Sequence, residues 1–135
     1  DIKKCIPHRE PFLLIDRIVE FEDQKSIIAE RQNNLDDPLF RGHFPGKPVY
    51  PGVLLIEGLA QTSGVFGTLC NPNGYKDMFL TEVIKSRFRQ IVTPSDMIRY
   101  KVTLIKKKGV FFWFDGEALV DDKQVAEVSF SALMR

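Results

Sequence analysis

The segment from Gly42 to Leu69, GHFPGKPVYPGVLLIEGLAQTSGVFGTL, most strongly limits what this chain can fold into. It begins as a glycine- and proline-rich loop with one histidine, His43, and continues as a long, helix-forming run in which Glu57 is the only acid. A helix that is apolar on nearly every side must be surrounded by protein. The sequence therefore predicts a central buried helix around which the rest of the chain folds.

Pro51 and Gly52 are predicted to open this helix, because proline suits the first helical turn, where its missing N–H would have no intrahelical partner. Glycine inside a helix costs about 1 kcal/mol relative to alanine. The small positions therefore indicate that a sheet approaches the helix closely. They are Gly58, Ala60, Ser63, Gly64 and Gly67.

Strands are predicted on both sides of this segment. Leu13–Phe21 and Ser26–Gln32 form a hairpin, and a long irregular loop follows before the helix. Four strands after Lys76, joined by short connections, are expected to form an antiparallel meander. The predicted architecture is α+β, with one long helix wrapped by an antiparallel sheet of about six strands in a single domain, 1-135.

Composition supports an ordinary soluble globular protein, with 44% hydrophobic and 27% charged residues in 135. Cys5 and Cys70 give no disulfide framework, and with the two histidines they lack zinc spacing. The N-terminal DIKKCIPHRE has no apolar stretch of signal-peptide type, so we expect a cytoplasmic protein, although a segment preceding Asp1 stays open. We interpret the apolar run as a core helix and expect no membrane insertion.

Charge is uneven along the chain, whose net charge is +1. The segment 85–108 contains a single acid, Asp96, and indicates either an acidic partner or solvated strand faces. No nucleic-acid motif accompanies it. Its eight basic residues are Lys85, Arg87, Arg89, Arg99, Lys101, Lys106, Lys107 and Lys108.

His43 and Glu57 are the candidate general base and general acid. A histidine held by a proline-rich loop and a carboxylate in an apolar helix suit proton abstraction next to a carbonyl, and the free N–H of Gly52 at the helix start could receive that carbonyl. Each feature has an ordinary structural alternative: an exposed loop histidine, an acid paired with an arginine across the sheet, and a helix start solvated by water.

Other catalytic templates are missing from the sequence. There is no G-x-S-x-G, H-E-x-x-H, P-loop or G-x-G-x-x-G motif. Ser63 and Cys70 have no neighbouring base in sequence, which gives nucleophilic catalysis little support.

Three stretches, PHREPFLLIDRI, FRGHFPGKPVYPGVLLIEGLAQTSG and KSRFRQIVTPSD, resemble the FabZ-type β-hydroxyacyl-acyl carrier protein dehydratases over nearly the whole chain. The resemblance implies a hot-dog fold. It implies dehydration of (3R)-hydroxyacyl-ACP to trans-2-enoyl-ACP in type II fatty acid biosynthesis. No metal or organic cofactor is implied, since the phosphopantetheine arm is carried by the ACP substrate.

The same resemblance assigns roles to residues of this chain. His43 would take the C2 proton, Glu57 would protonate the departing C3 hydroxyl, directly or through a water, and the Gly52 N–H would hold the thioester carbonyl. The two side chains would come from different subunits of a homodimer, often assembled as a trimer of dimers. Acyl carrier protein is acidic, so a docking surface is expected at Lys85, Arg87 and Arg89.

Two alternatives remain at this point. An acyl-thioesterase shares the hot-dog fold and would hydrolyse the thioester, and a non-catalytic acyl-binding subunit would have no use for His43 or Glu57. A relative that also isomerises the double bond carries aspartate where this chain has Glu57, which favours the dehydratase-only type. Gly58 replaces a frequent alanine of the family. The sequence does not indicate the acyl chain length.

Overall fold

A computed structural model describes residues 2–135. Asp1, where the predicted domain begins, lies outside the described residues. The helices are Ile2–Cys5 (α1), Leu39–Gly42 (α2) and Gly52–Cys70 (α3). The strands are Arg17–Glu22 (β1), Ser26–Gln32 (β2), Met78–Phe88 (β3), Met97–Lys108 (β4), Phe111–Val120 (β5) and Lys123–Met134 (β6). One long helix and one six-stranded sheet confirm the predicted α+β architecture.

The strand order in the sheet is β1-β2-β4-β5-β6-β3, and every neighbouring pair is antiparallel. The predicted four-strand meander is therefore wrong for β3, which lies at the far edge beside β6. The reason lies in the segment between β3 and β4, which makes no hairpin. Val92 is buried there and its carbonyl accepts the Tyr50 N–H (2.8 Å), so the chain crosses beside the start of α3 and β4 pairs with β2.

The first predicted strand also begins later than expected, at Arg17 instead of Leu13. Leu14 and Ile15 are buried, as an apolar strand would be, but a side chain of α3 holds this segment: the Leu14 N–H donates to Gln61 Oε1 (2.8 Å). The prediction of β2 is confirmed at both ends, Ser26 and Gln32.

The core lies between α3 and the inner face of the sheet. Alternation along β4 predicts that Ile98, Tyr100, Val102 and Leu104 share one face. The first three are fully buried and Leu104 is half-buried. A Cβ at Gly58 would lie 2.5 Å from Tyr100 Oη, so this glycine lets the ring reach the helix backbone. By length and hydropathy α3 could cross a membrane, but most of it is buried inside the sheet, which confirms it as a core helix.

One face of the molecule stays uncovered. Val53, in the first turn of α3, is 70% exposed, and nearly every residue of the edge strand β3 is exposed. Several of these residues are apolar, which is unusual for a sheet edge that faces only water. The exposed apolar residues of β3 are Phe79, Leu80, Val83, Ile84 and Phe88.

Candidate active site

His43 lies in a tight turn directly after α2. Its carbonyl accepts the Val49 N–H (2.8 Å), and Phe44 and Lys47 exchange two backbone hydrogen bonds inside the turn. The His43 ring Nδ1 lies 2.9 Å from the Val49 carbonyl oxygen. A carbonyl oxygen only accepts, so Nδ1 carries the hydrogen and the neutral ring presents its lone pair at Nε2. A neutral ring held in this way can accept a proton at Nε2.

Arg31, which is almost fully buried, anchors the loop that carries His43. Its Nε donates to Asn33 Oδ1 (3.0 Å) and its Nη2 to Asp37 Oδ2 (2.9 Å). Its guanidinium lies 5.3 Å from the centre of the Tyr50 ring, at the far end of the loop. Asn33 in turn donates to the Thr93 carbonyl (2.9 Å). Arg31 thus connects the beginning and the end of the loop to the sheet.

Glu57 lies in the second turn of α3 with 24% of its side chain exposed. Its Oε2 accepts a hydrogen bond from Gln61 Nε2 (2.9 Å), one helical turn further on. Among residues 2–135, the polar contacts of Glu57 come from Gln61 and His8, and no arginine of the sheet pairs with it. Gln61 was missed by sequence reasoning, although the i, i+4 spacing from Glu57 places both residues on one helix face.

His8 is a second residue that sequence reasoning missed. Its Nε2 lies 3.6 Å from Glu57 Oε2, and its ring stacks against Phe12 with centroids 6.3 Å apart. Within residues 2–135 its buried Nδ1 has no hydrogen-bond partner. The available signal was the PHREPF motif, whose two prolines fix the backbone on both sides of His8.

Gly52 begins α3 after Pro51, whose backbone is extended (ψ 133°). Among residues 2–135 the Gly52 N–H has no acceptor, as expected for the first N–H of a helix. A Cβ on Gly52 would lie 3.1 Å from the Phe88 ring of β3. Because Gly52 has no side chain, the Phe88 ring can pack close to the helix start, where this N–H is free.

The predicted acid and base have separate partners in this structure. His43 binds Val49, and Glu57 binds Gln61 and faces His8. No hydrogen bond or ion pair joins His43 to Glu57 in residues 2–135.

The basic segment 85–108 does not form one surface. Glu127 on β6 is the register partner of both Arg87 and Glu117, and it also binds Arg89 (2.9 Å), so acids interleave with the bases in the middle of the sheet. The three lysines at the end of β4 lie elsewhere: Lys106 and Lys107 lie over the rings of Trp113 and Phe112.

Among the described residues 2–135, no group of three or more histidine, cysteine, aspartate or glutamate side chains could hold a metal ion. Burial raises the pKa of Tyr50, and it raises the pKa of the fully buried Tyr100 well above its ordinary value, so both hydroxyls stay protonated in the core.

Comparison with known proteins places these features in context. Residues 6–129 match the FabA-like domain family. The 3-hydroxyacyl-[acyl-carrier-protein] dehydratase FabZ of Campylobacter fetus is 41% identical over 140 residues, covering 99% of this chain and 95% of the relative.

Solved structures show the same fold at lower identity. The dehydratase heterocomplex ApeI:P from Xenorhabdus doucetiae superimposes with a TM-score of 0.87 at 17% identity, over 99% of this chain and 90% of the other. A mutant thioesterase, PA1618, from Pseudomonas aeruginosa superimposes with a TM-score of 0.68 at 17% identity, over 87% and 79%. Together with the observed helix and sheet, these likenesses confirm the predicted hot-dog fold.

Proposed function

The chain belongs to the FabZ-type 3-hydroxyacyl-[acyl-carrier-protein] dehydratases of the FabA-like family, and from this premise we propose which of its residues carry out the reaction. The enzyme is a hydro-lyase of fatty acid biosynthesis, which removes water from a 3-hydroxyacyl chain carried on acyl carrier protein. The proposal concerns the roles of single residues, the assembly and the docking surface.

His43 acts as the base that removes the C2 proton of the (3R)-hydroxyacyl thioester. The observation that carries this assignment is the 2.9 Å contact between Nδ1 and the Val49 carbonyl, which leaves the lone pair of the neutral ring at Nε2. Charge then develops on the thioester carbonyl. The free N–H of Gly52 is the donor that stabilises it, with the positive end of the α3 dipole behind it.

Glu57 acts as the acid. The electron pair of the C2–H bond forms the C2–C3 double bond, and the C3–O bond breaks as the carboxyl proton joins the departing hydroxyl to give water. General acid–base catalysis supplies both proton transfers, so the reaction proceeds without metal or organic cofactor. Prolonged dialysis against a chelator should leave the turnover unchanged, and loss of turnover that an added metal restores would contradict this part.

The working unit is a homodimer in which a second copy of this chain covers the exposed apolar residues of β3. The edge strand of one subunit would continue into the edge strand of the other, which is how sheet edges are commonly protected. The exposed start of α3, with Val53 uncovered, adjoins the same region through Gly52 and Phe88. His43 of one subunit would then meet Glu57 of the other, and the dimers would associate as a trimer of dimers in the cytoplasm.

The test of the reaction is incubation of the purified protein with 3-hydroxybutyryl-ACP. The dehydratase reaction should produce crotonyl-ACP, detected by enoyl absorbance, without release of free thiol. Release of the ACP thiol would instead support hydrolysis, an alternative that the shared fold of the Pseudomonas aeruginosa thioesterase keeps relevant. Neither product would support a non-catalytic acyl-binding subunit.

The shared site is tested by mixing two inactive variants. In a heterodimer of His43→Ala and Glu57→Gln subunits, one of the two sites has both original side chains if each site is built from two subunits. Random reassociation of equal amounts should restore about a quarter of the wild-type rate. If both residues of a site came from the same chain, mixing would restore nothing.

Docking of acyl carrier protein is proposed at Lys85, Arg87 and Arg89. Lys85 and Arg87 alternate along β3 and Arg89 follows it; their charged side chains are separate from the apolar ones that the second copy would cover, although Glu127 already pairs with Arg89. Charge attraction of this kind weakens with salt. We expect Lys85→Glu and Arg87→Glu to lower kcat/KM for ACP substrates while leaving kcat/KM for a small pantetheine thioester unchanged. Equal losses with both substrates would contradict the docking assignment.

A further inference from the structure

Gln61 is fully buried in the middle of α3, yet it has three polar contacts. Its Oε1 accepts the Leu14 N–H (2.8 Å), and its Nε2 donates to the Phe12 carbonyl (2.8 Å) and to Glu57 Oε2 (2.9 Å). All of its polar atoms are thereby committed.

The orientation of this amide is fixed by its backbone partners. The Leu14 N–H only donates and the Phe12 carbonyl only accepts, so the oxygen of Gln61 must face Leu14 and its nitrogen must face Phe12. Turning the amide over would set two donors against each other and two acceptors against each other. The nitrogen has two hydrogens, one for Phe12 and one for Glu57, and it has no capacity to accept a hydrogen from the carboxyl group.

Oε2 of Glu57 is therefore permanently an acceptor. We propose that Gln61 is the positioning residue of the acid: it holds Oε2 of Glu57 as a hydrogen-bond acceptor, so that the proton given to the substrate hydroxyl is carried by Oε1. This inference rests on the proposed role of Glu57. His8, with Nε2 at 3.6 Å, also faces Oε2, which leaves Oε1 as the oxygen free of both neighbours.

The fixed orientation of Glu57 determines which of its two carboxyl oxygens carries the proton. A carboxylic acid that could protonate either oxygen would present its proton to the substrate for only part of the time. A displacement of a reacting group by about 1 Å can lower the rate about 100-fold, so loss of the fixed carboxyl orientation should lower kcat. The same amide ties α3 to the segment before β1, so the acid is held against a backbone that the sheet anchors through the Asp16 N–H to Glu30 O contact (2.7 Å).

The test compares Gln61→Met with Thr62→Val in the purified dimer, using 3-hydroxybutyryl-ACP. Thr62 is also fully buried on α3, and its hydroxyl donates only to the Gly58 carbonyl (2.7 Å), so Thr62→Val removes a buried hydrogen bond without touching the acid. Gln61→Met should lower kcat about 10- to 100-fold with KM changed little. Thr62→Val should retain the wild-type kcat.

A double-variant cycle separates positioning from general loss of structure. If Gln61 acts through Glu57, Gln61→Met should have no further effect on the residual rate of Glu57→Gln, because the proton it orients is already gone. Losses that multiply would show that Gln61 supports the fold only. A wild-type kcat in Gln61→Met would also overturn the proposal.

Gln61→Glu serves if the methionine variant does not fold. It keeps the acceptor for Leu14 and the shape of the side chain, and it removes the amide nitrogen that donates to Phe12 and to Glu57. A loss of kcat similar to that of Gln61→Met is expected, and the wild-type rate would overturn the proposal. A wild-type enzyme without dehydratase activity would instead reject the proposed function itself, so the two failures are distinguishable.

Discussion

The two halves of the site are held in different ways. His43 is fixed through backbone groups of its own turn, and the buried Arg31 anchors that turn from outside by binding Asn33 and Asp37. Glu57 is fixed by side chains, Gln61 on the same helix and His8 from the N-terminal segment. The base is therefore sensitive to the loop as a whole, whereas the acid is sensitive to single neighbouring side chains.

The largest expected effect comes from removing either half. His43→Ala and Glu57→Gln should each lower kcat by about 10²- to 10⁴-fold, since each removes one general acid or base. Steady-state rates on 3-hydroxybutyryl-ACP measure the loss, and far-ultraviolet circular dichroism verifies that the fold is kept. A variant within a few-fold of the wild-type rate would remove that residue from the mechanism.

Arg31 provides the next test, on the histidine side. Arg31→Met breaks the buried pair with Asp37 and the hydrogen bond to Asn33, and breaking a buried pair costs about 3–5 kcal/mol when the remaining charge stays buried. Asp37 is 32% exposed on its side chain, so water offsets part of this cost and we expect about 2 kcal/mol. Urea unfolding measures the stability.

The same variant should also lower kcat, because the loop that carries His43 loses its anchor. Lys25→Met, which removes a surface pair with Glu22 (3.2 Å), is the control and should change both quantities little. A stable Arg31→Met variant with full activity would mean that the backbone hydrogen bonds of the turn hold His43 in place without Arg31.

Gly58 tests the close packing beside the acid. A Cβ there would collide with the Tyr100 ring and hydroxyl, so Gly58→Ala should destabilise the protein by about 1–3 kcal/mol despite the better helix propensity of alanine. Gly64→Ala is the matched control, since its Cβ would lie 3.1 Å from Ile6 Cγ2 and from Met78 Sδ, which is tight packing and not a collision with an aromatic ring. Thermal unfolding compares the two variants. Equal melting temperatures would show that Tyr100 on β4 can move aside at little cost in stability.

Prediction from sequence succeeded where the pattern was local. The start of α3 at Gly52, the bounds of β2 and the alternation in β4 follow from proline placement and hydrophobic period. The edge position of β3 was missed because strand order depends on how Val92 packs beside Tyr50, far away in sequence. Gln61 and His8 were missed for a related reason: their partners include backbone groups and a carboxylate that only the folded chain brings near.

The smallest expected effect belongs to His8. Its 3.6 Å separation from Glu57 Oε2 is longer than a hydrogen bond, and the pair is ionic only while the imidazole is protonated. His8→Phe keeps an aromatic ring against Phe12 and removes only the polar contact, so kcat should fall by less than about 10-fold, the equivalent of one modest hydrogen bond.

Comparison of His8→Phe with Gln61→Met then ranks the two neighbours of the acid. Gln61 makes a short, fully committed contact at 2.9 Å, and its loss should exceed that of His8. If His8→Phe were the more damaging variant, the acid would depend chiefly on the N-terminal segment and not on its own helix. His43 would still be held by its loop and Glu57 by neighbouring side chains, but the main support of Glu57 would come from residues 7–12 instead of α3.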